Sequence, residues 1–258
     1  MKKRLTVLKV GGAIVEDPDS LSKLLINFSK IDGHKLLVHG GGKLATILSE
    51  RLGIETKMID GRRITDSDTL EVVTMVYAGS VNKRVVACLQ SIGINALGLT
   101  GADMNIIRSV RRPIKKIDFG FVGDIQEVDG EILAGLIAKG VVPVISPITH
   151  DGKGQLLNTN ADTIASEVAK SLAEYFEVEL FYCFEKSGVL IDQEDEDSVI
   201  PALNKTLSDE YIARGVISDG MIPKIENAFA AIRAGVSRVI ITKADQIADP
   251  KAGTLIVM

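Results

Sequence analysis

Four short segments carry residue types that could do chemistry on an anion. Lys9-Val10-Gly11-Gly12 and His39-Gly40-Gly41-Gly42 each place a glycine cluster where an apolar run stops. Glycine at a strand-to-helix turn lets backbone N–H groups approach an anion, and the helix that follows adds a favourable dipole. Glycine also serves merely to make such a bend, so one cluster alone says little. Two clusters, one of them preceded by a lysine, point to phosphate. Asn158-Thr159-Asn160-Ala161-Asp162 reads either as a helix N-cap with a first-turn acid or as a polar site at a helix start. In Ser218-Asp219-Gly220-Met221-Ile222-Pro223-Lys224 a lysine stands at the start of a helix. The dipole favours anions there, so something negative is expected in front of Lys224.

Other chemistries fit poorly. Lys43 is followed by Leu44, so the hydroxyl that a P-loop places on magnesium is missing, and neither turn matches the dinucleotide fingerprint. His34, His39 and His150 show no metal-ligand spacing, and no serine stands in a nucleophile-elbow context. Cys88 and Cys183 lie far apart in apolar segments, which argues against a disulfide framework and for a reducing compartment. The net charge of −4 gives no general attraction to nucleic acid, and Arg108, Arg111, Arg112, Lys115 and Lys116 read as a solvated hairpin. The apolar run before Gly11 is too short for a signal peptide, and no stretch approaches transmembrane length. A cytoplasmic protein with no membrane or nucleic-acid partner is expected.

The elements that must position these residues alternate in type. Leu5–Val10 and Lys35–Val38 read as short buried strands, each ending at a glycine cluster, with Leu21–Lys30 as a crossover helix between them. Leu44, Ile47, Leu48 and Leu52 give the next helix its apolar face. A long helix is expected over Asp66–Ile92, then a strand at Asn95–Leu99 and a hairpin of Ile106–Val110 with Phe121–Val128. Helices at Ile132–Lys139, Asp162–Ala173 and Lys224–Ala234 alternate with strands at Val141–Ile145, Glu179–Phe184 and Val239–Thr242, and Thr254–Val257 closes the chain. Asp192–Asp197 reads as an exposed acidic loop. This order predicts an α/β protein: a three-layer α/β/α sandwich around a mostly parallel central sheet. Such sheets bind ligands at the carboxyl ends of their strands, where both glycine clusters would lie.

Taken in order with Asp60-Gly61-Arg62-Arg63-Ile64-Thr65, Gly79-Ser80-Val81-Asn82-Lys83 and Gly120-Phe121-Val122-Gly123, these segments closely resemble the acylglutamate branch of the amino-acid kinase family. The resemblance covers essentially the whole chain. It implies one kinase domain over 1–258, with an acyl-amino-acid-binding lobe at 1–174 and a nucleotide-binding lobe at 175–258. It also implies transfer of the γ-phosphoryl group of ATP to the side-chain carboxylate of an N-acyl-L-glutamate, N-acetyl-L-glutamate foremost, as a step toward arginine and ornithine. A kinase for an acylated aminoadipate-type substrate and a non-catalytic nucleotide- or effector-binding homologue are the alternatives.

Residue by residue, the resemblance gives Lys9 and Lys224 contact with the transferring phosphoryl group and Asp162 the task of orienting both. Gly11, Gly12 and Gly41 would line the phosphates. Gly42, Arg63 and Asn158 would hold the acyl amino acid. Glu185, Lys186, Ser187, Gly188, Val189 and Leu190, with Val216, Ile217 and Ser218, would form the adenine side. Glu185-Lys186 departs from the family, which usually has an aspartate and a small or apolar residue there. Mg2+ would be bound mainly through the nucleotide phosphates, with no protein metal site. The long helix would form a homodimer interface. Arginine-inhibited relatives carry a helix before the first strand; here that strand begins near Leu5, so a dimer insensitive to arginine is expected. The chemistry is consistent with this allocation. A glutamate side chain ionises near pH ~4.3, so the nucleophile needs no general base, and catalysis reduces to positioning and charge neutralisation.

Overall fold

Strand β1 (Arg4–Val10) alternates its side chains between two apolar cores: Leu5 and Val7 lie in one, Leu8 and Val10 in the other. A period of two therefore turns Lys9 to the face of Leu5 and Val7. The neighbouring strand β2 (His34–His39) does the same, with Leu36 and Val38 on the first face and Leu37 on the second. His39 thereby falls on the face opposite Lys9. The computed structural model describes residues 2–59, 61–217, 221–249 and 251–258.

β1 and β2 are central in an eight-stranded sheet. The other members are β5 (Ala96–Leu99), β8 (Val142–Ile145), β11 (Glu177–Phe184), β12 (Ala202–Leu203), β13 (Arg238–Lys243) and β14 (Thr254–Ile256), and the order is β12-β14-β13-β11-β1-β2-β8-β5. From β13 to β5 every pairing is parallel; β14 runs antiparallel to β13. Helices α6 (Gly130–Ala138), α7 (Ala161–Leu172) and α9 (Met221–Arg233) bury Leu133, Ile164, Val168, Ile225 and Phe229 on the Lys9 face. Helix α2 (Pro18–Ser29) and the long helix Ser67–Ser91 cover the other with Leu24, Phe28, Val73, Val85 and Leu89. The three-layer α/β/α sandwich is the architecture expected.

Three features were not legible beforehand. The long helix divides into α4 (Ser67–Thr74), a π-helical segment at Met75–Val81 and α5 (Asn82–Ser91). By length and composition it could also cross a bilayer, contrary to the expectation that no stretch reaches that length; here Val73, Val81, Val85 and Leu89 are fully buried against the sheet. The expected hairpin, β6 (Ile107–Arg111) with β7 (Gly123–Val128), belongs to a separate four-stranded sheet. A second hairpin completes it, β9 (Ile148–His150) with β10 (Leu156–Asn158). Helix α8 (Lys205–Ala213), capped by Asn204, follows the irregular segment that contains the acidic loop.

Candidate active site

Lys9, at the end of β1, meets Asp162 on the first turn of α7: Nζ lies 2.7 Å from Oδ1. Lys224, on the first turn of α9, reaches the other oxygen of the same carboxylate, Oδ2, at 3.4 Å. Asn160 caps α7, its side chain accepting from the N–H groups of Asp162 and Thr163, so the capping and functional readings of this segment are both realised. Tyr182 on β11 donates its hydroxyl to the Asp162 carbonyl, and Ser166 on α7 donates to the Asn227 carbonyl on α9. These bonds pin the two helices that carry the charges.

All three side chains are largely buried, at 10% exposure for Lys9, 12% for Asp162 and 21% for Lys224, so their charges act through protein rather than bulk water. Burial pushes the Asp162 carboxyl toward its neutral form, but the two ammonium groups outweigh it and hold the group below the ordinary carboxylate range. One carboxylate thus holds both ammonium groups at the carboxyl end of the central strands, where such sheets bind ligands.

The two glycine turns touch. A Cβ on Gly12 would lie 3.4 Å from the Gly41 nitrogen and 3.5 Å from that of Gly42. Gly41 has φ +155, a conformation that strains any side chain, and its Cβ would press on the Tyr77 ring at 3.1 Å. Short helix α1 (Gly12–Glu16) and α3 (Gly42–Arg51) thus begin side by side. Among the described residues no group accepts from the N–H groups of Gly12, Gly41 or Gly42, the orphan donors that a helix start leaves over. Glu16, which sequence reasoning missed, accepts from the Leu44 N–H at 3.1 Å. Gly11 acts differently: its N–H donates to the Cys183 carbonyl at 3.0 Å, binding the turn to β11.

On the other side of the turn Arg63 is 7% exposed. It ends a two-strand ribbon, β3 (Met58–Ile59) with β4 (Arg62–Arg63). Its guanidinium donates to the Gly42 carbonyl at 2.8 Å and to the hydroxyls of Thr46 and Thr56. Asn158, at the end of β10, donates its side-chain amide to the Thr65 hydroxyl at 3.0 Å and its backbone N–H to Phe121. Thr65 also exchanges backbone bonds with Phe119 and Phe121, so Arg63, Asn158 and the β6–β7 loop form one connected wall. A cavity of about 240 Å³ beside it, lined by Lys57, Ile64, Asp66 and Asp68 among others, excludes the lysine–aspartate cluster and has an acidic lining unsuited to an anion.

The residues assigned to adenine separate into two groups. Glu185 is exposed, Lys186 and Ser187 half-buried, and the Lys186 ammonium donates to the Gln193 carbonyl. Val189, Leu190 and Ile217 are buried in the fold, and Val189 is fastened to β14 by its N–H bond to the Thr254 hydroxyl. A Cβ on Gly188 would come within 2.8 Å of the Thr254 hydroxyl and of Val199. Val216 is half-buried, and Ser218 lies outside the described residues. Among the described residues no three His, Cys, Asp or Glu side chains come together as a metal site.

A parallel sheet between two helical layers, with glycine turns at its central strand ends, recurs in solved structures. A solved carbamate kinase from Giardia lamblia bound to AMP-PNP matches it with a TM-score of 0.72, covering 99% of this chain and 98% of that one at 14% identity, a likeness of fold alone. The chain belongs to the amino acid kinase family, whose profile matches residues 4–243. It is 60% identical over 256 residues to acetylglutamate kinase of Phocaeicola vulgatus, covering 99% of both chains. With acetylglutamate kinase of Bacteroides thetaiotaomicron it is 61% identical over 249 residues, 96% of this chain and 97% of the relative.

Proposed function

We propose that this chain transfers the γ-phosphoryl group of ATP to the side-chain carboxylate of N-acetyl-L-glutamate, a step of arginine and ornithine synthesis. Two full-length relatives near 60% identity that carry the name acetylglutamate kinase support the substrate. The observation that carries the chemistry is the single Asp162 carboxylate bridging Lys9 and Lys224. Lys9 and Lys224 meet the charge of the transferring phosphoryl group, and Asp162 holds them at a fixed separation without acting as a base. The N–H groups of Gly12 and Gly41 bind phosphate oxygens. Gly42, Arg63 and Asn158 hold the acceptor from the lobe at 1–174, and the Glu185–Leu190 and Val216–Ser218 segments of the lobe at 175–258 hold the nucleoside. Mg2+ would arrive on the nucleotide phosphates, screening their charge; Asp162 is committed to two ammonium groups and is not its ligand.

A homodimer through the long helix is proposed on the family resemblance alone, since its apolar stripe, Val73, Val76, Tyr77, Val81, Val85 and Leu89, is already buried in this chain's own core. A cytoplasmic location is supported by the two free thiols of Cys88 and Cys183. The reaction is tested by trapping the acyl phosphate with hydroxylamine, in the presence of ATP and Mg2+, across acetyl-, succinyl- and free glutamate. The expected result is hydroxamate with the acetyl substrate in preference to the other two. Equal rates on free glutamate, or none on any, would overturn the proposal.

A further inference from the structure

His39 is fully buried at the end of β2, on the face away from Lys9, and takes no part in the proposed contacts with substrate. Its partners determine its tautomer. The Asn82 amide nitrogen lies 2.9 Å from the Val144 carbonyl, which can only accept, and 3.1 Å from His39 Nε2. Nε2 is therefore the bare, accepting nitrogen, and the proton sits on Nδ1, which donates to the Gly40 carbonyl at 2.8 Å. The Asn82 oxygen accepts from Lys83 Nζ at 3.2 Å, which completes the amide's bonding. Gly98 leaves room for it: a Cβ there would come 1.9 Å from Asn82 Oδ1.

A trans peptide is planar, with its C=O and N–H pointing in opposite directions. Fixing the Gly40 carbonyl toward the His39 ring fixes the Gly41 N–H away from it, toward the face of Lys9. The π-helical segment assists from the same side. Tyr77 and Asn82 stand five residues apart, the spacing that a π-turn aligns, and Tyr77 and Val81 both abut Gly41.

We infer that His39 is a positioning residue for phosphoryl transfer, holding the Gly40–Gly41 peptide so that the Gly41 N–H faces the transferring group, with Asn82 setting its tautomer. This rests on the proposed function and extends it to a residue that touches no reacting atom. Burial pushes the imidazole down to about 4, so it stays neutral where the enzyme works and acts neither as acid nor as base.

The test combines kinetics with imidazole 15N spectra of the full-length enzyme. In the wild type the spectrum should show Nδ1 protonated and Nε2 bare, unchanged between about pH 6 and 8 because burial holds the imidazole down to about 4. His39→Leu removes the donor at similar volume. It should lower kcat by about 10- to 100-fold per folded molecule, with KM for ATP and acetylglutamate each within about threefold. His39→Asn, whose amide N–H reaches the position of Nδ1, should recover most of the loss. A purely structural histidine would instead cost stability in both variants and leave kcat per folded molecule unchanged, which overturns the inference. So does a wild-type spectrum with Nε2 protonated, a result that stands even where His39→Leu fails to fold. Failure of the functional reading shows separately, as a wild-type enzyme that makes no hydroxamate.

Discussion

The side proposed for the acceptor and the side proposed for the nucleotide are held by different forces. On the acceptor side the polar groups are locked to one another: Arg63 binds three oxygens, one of them the Gly42 carbonyl, and Asn158 binds Thr65. On the nucleotide side Val189, Leu190 and Ile217 are packed into the fold, while Glu185 stands in solvent. The first arrangement fixes donor directions in advance and suits discrimination between acceptors. In the second the buried apolar residues support the fold, and the exposed Glu185 can change without disturbing them. That is where Glu185-Lys186 departs from the pattern that the resemblance implies.

The largest effect should come from the centre between them. Lys9→Ala and Lys224→Ala should each reduce kcat by about 10²-fold or more, while KM for either substrate changes little. Steady-state kinetics that showed a raised KM at normal kcat would move the lysines from the transition state to ground-state binding. Next comes Arg63→Ala. Losing a buried charged donor should raise KM for acetylglutamate by about 10-fold or more and leave KM for ATP within about threefold. A rise for ATP alone would exchange the two sides.

A third prediction concerns stability on the acceptor side. Unfolded, the His39 imidazole takes up a proton near its ordinary 6.5; folded, burial delays this to about 4. Between those values the unfolded chain binds more protons, so this contribution is present above 6.5 and is lost as pH falls through 4. It amounts to about 3 kcal/mol at most. Urea titrations from pH 4 to 7 should show a steeper loss for the wild type than for His39→Asn, and parallel curves would contradict it. The smallest effects belong to the nucleotide rim. Glu185→Ala should change KM for ATP by less than about threefold. Val189→Ala should instead cost about 1–3 kcal/mol of stability, seen as a lower thermal midpoint.

The contrast between the sides also marks what the sequence could reveal. Strand ends, glycine turns and Lys224 were legible because each breaks a local rule: an abrupt stop after apolar residues, or a lysine where the dipole wants an anion; Asp162 obeys the dipole rule, and its role came from the resemblance. The π-helical segment left no mark, since Leu70, Val73, Val76 and Tyr77 continue a helical apolar stripe and the extra residue appears only as a change in facing. Strands of two or three residues, such as β4 and β10, are too short to show alternation, yet they end in Arg63 and Asn158. Glu16 and Tyr77 were missed for the same reason: their roles come from contact across elements distant in sequence. The acidic loop and α8 follow no strong apolar period, because α8 has Ser208 as its only fully covered residue.

The central claim is that one carboxylate holds two ammonium groups for the reaction, and Asp162→Asn tests it most directly. The change keeps the shape and removes the charge to which Lys9 and Lys224 are both bound. Hydroxylamine trapping over a matrix of ATP and acetylglutamate concentrations should show kcat down by about 10²-fold, with both KM values within about threefold. A kcat within about twofold of the wild type would contradict the account, because the lysines would then be positioned without the carboxylate.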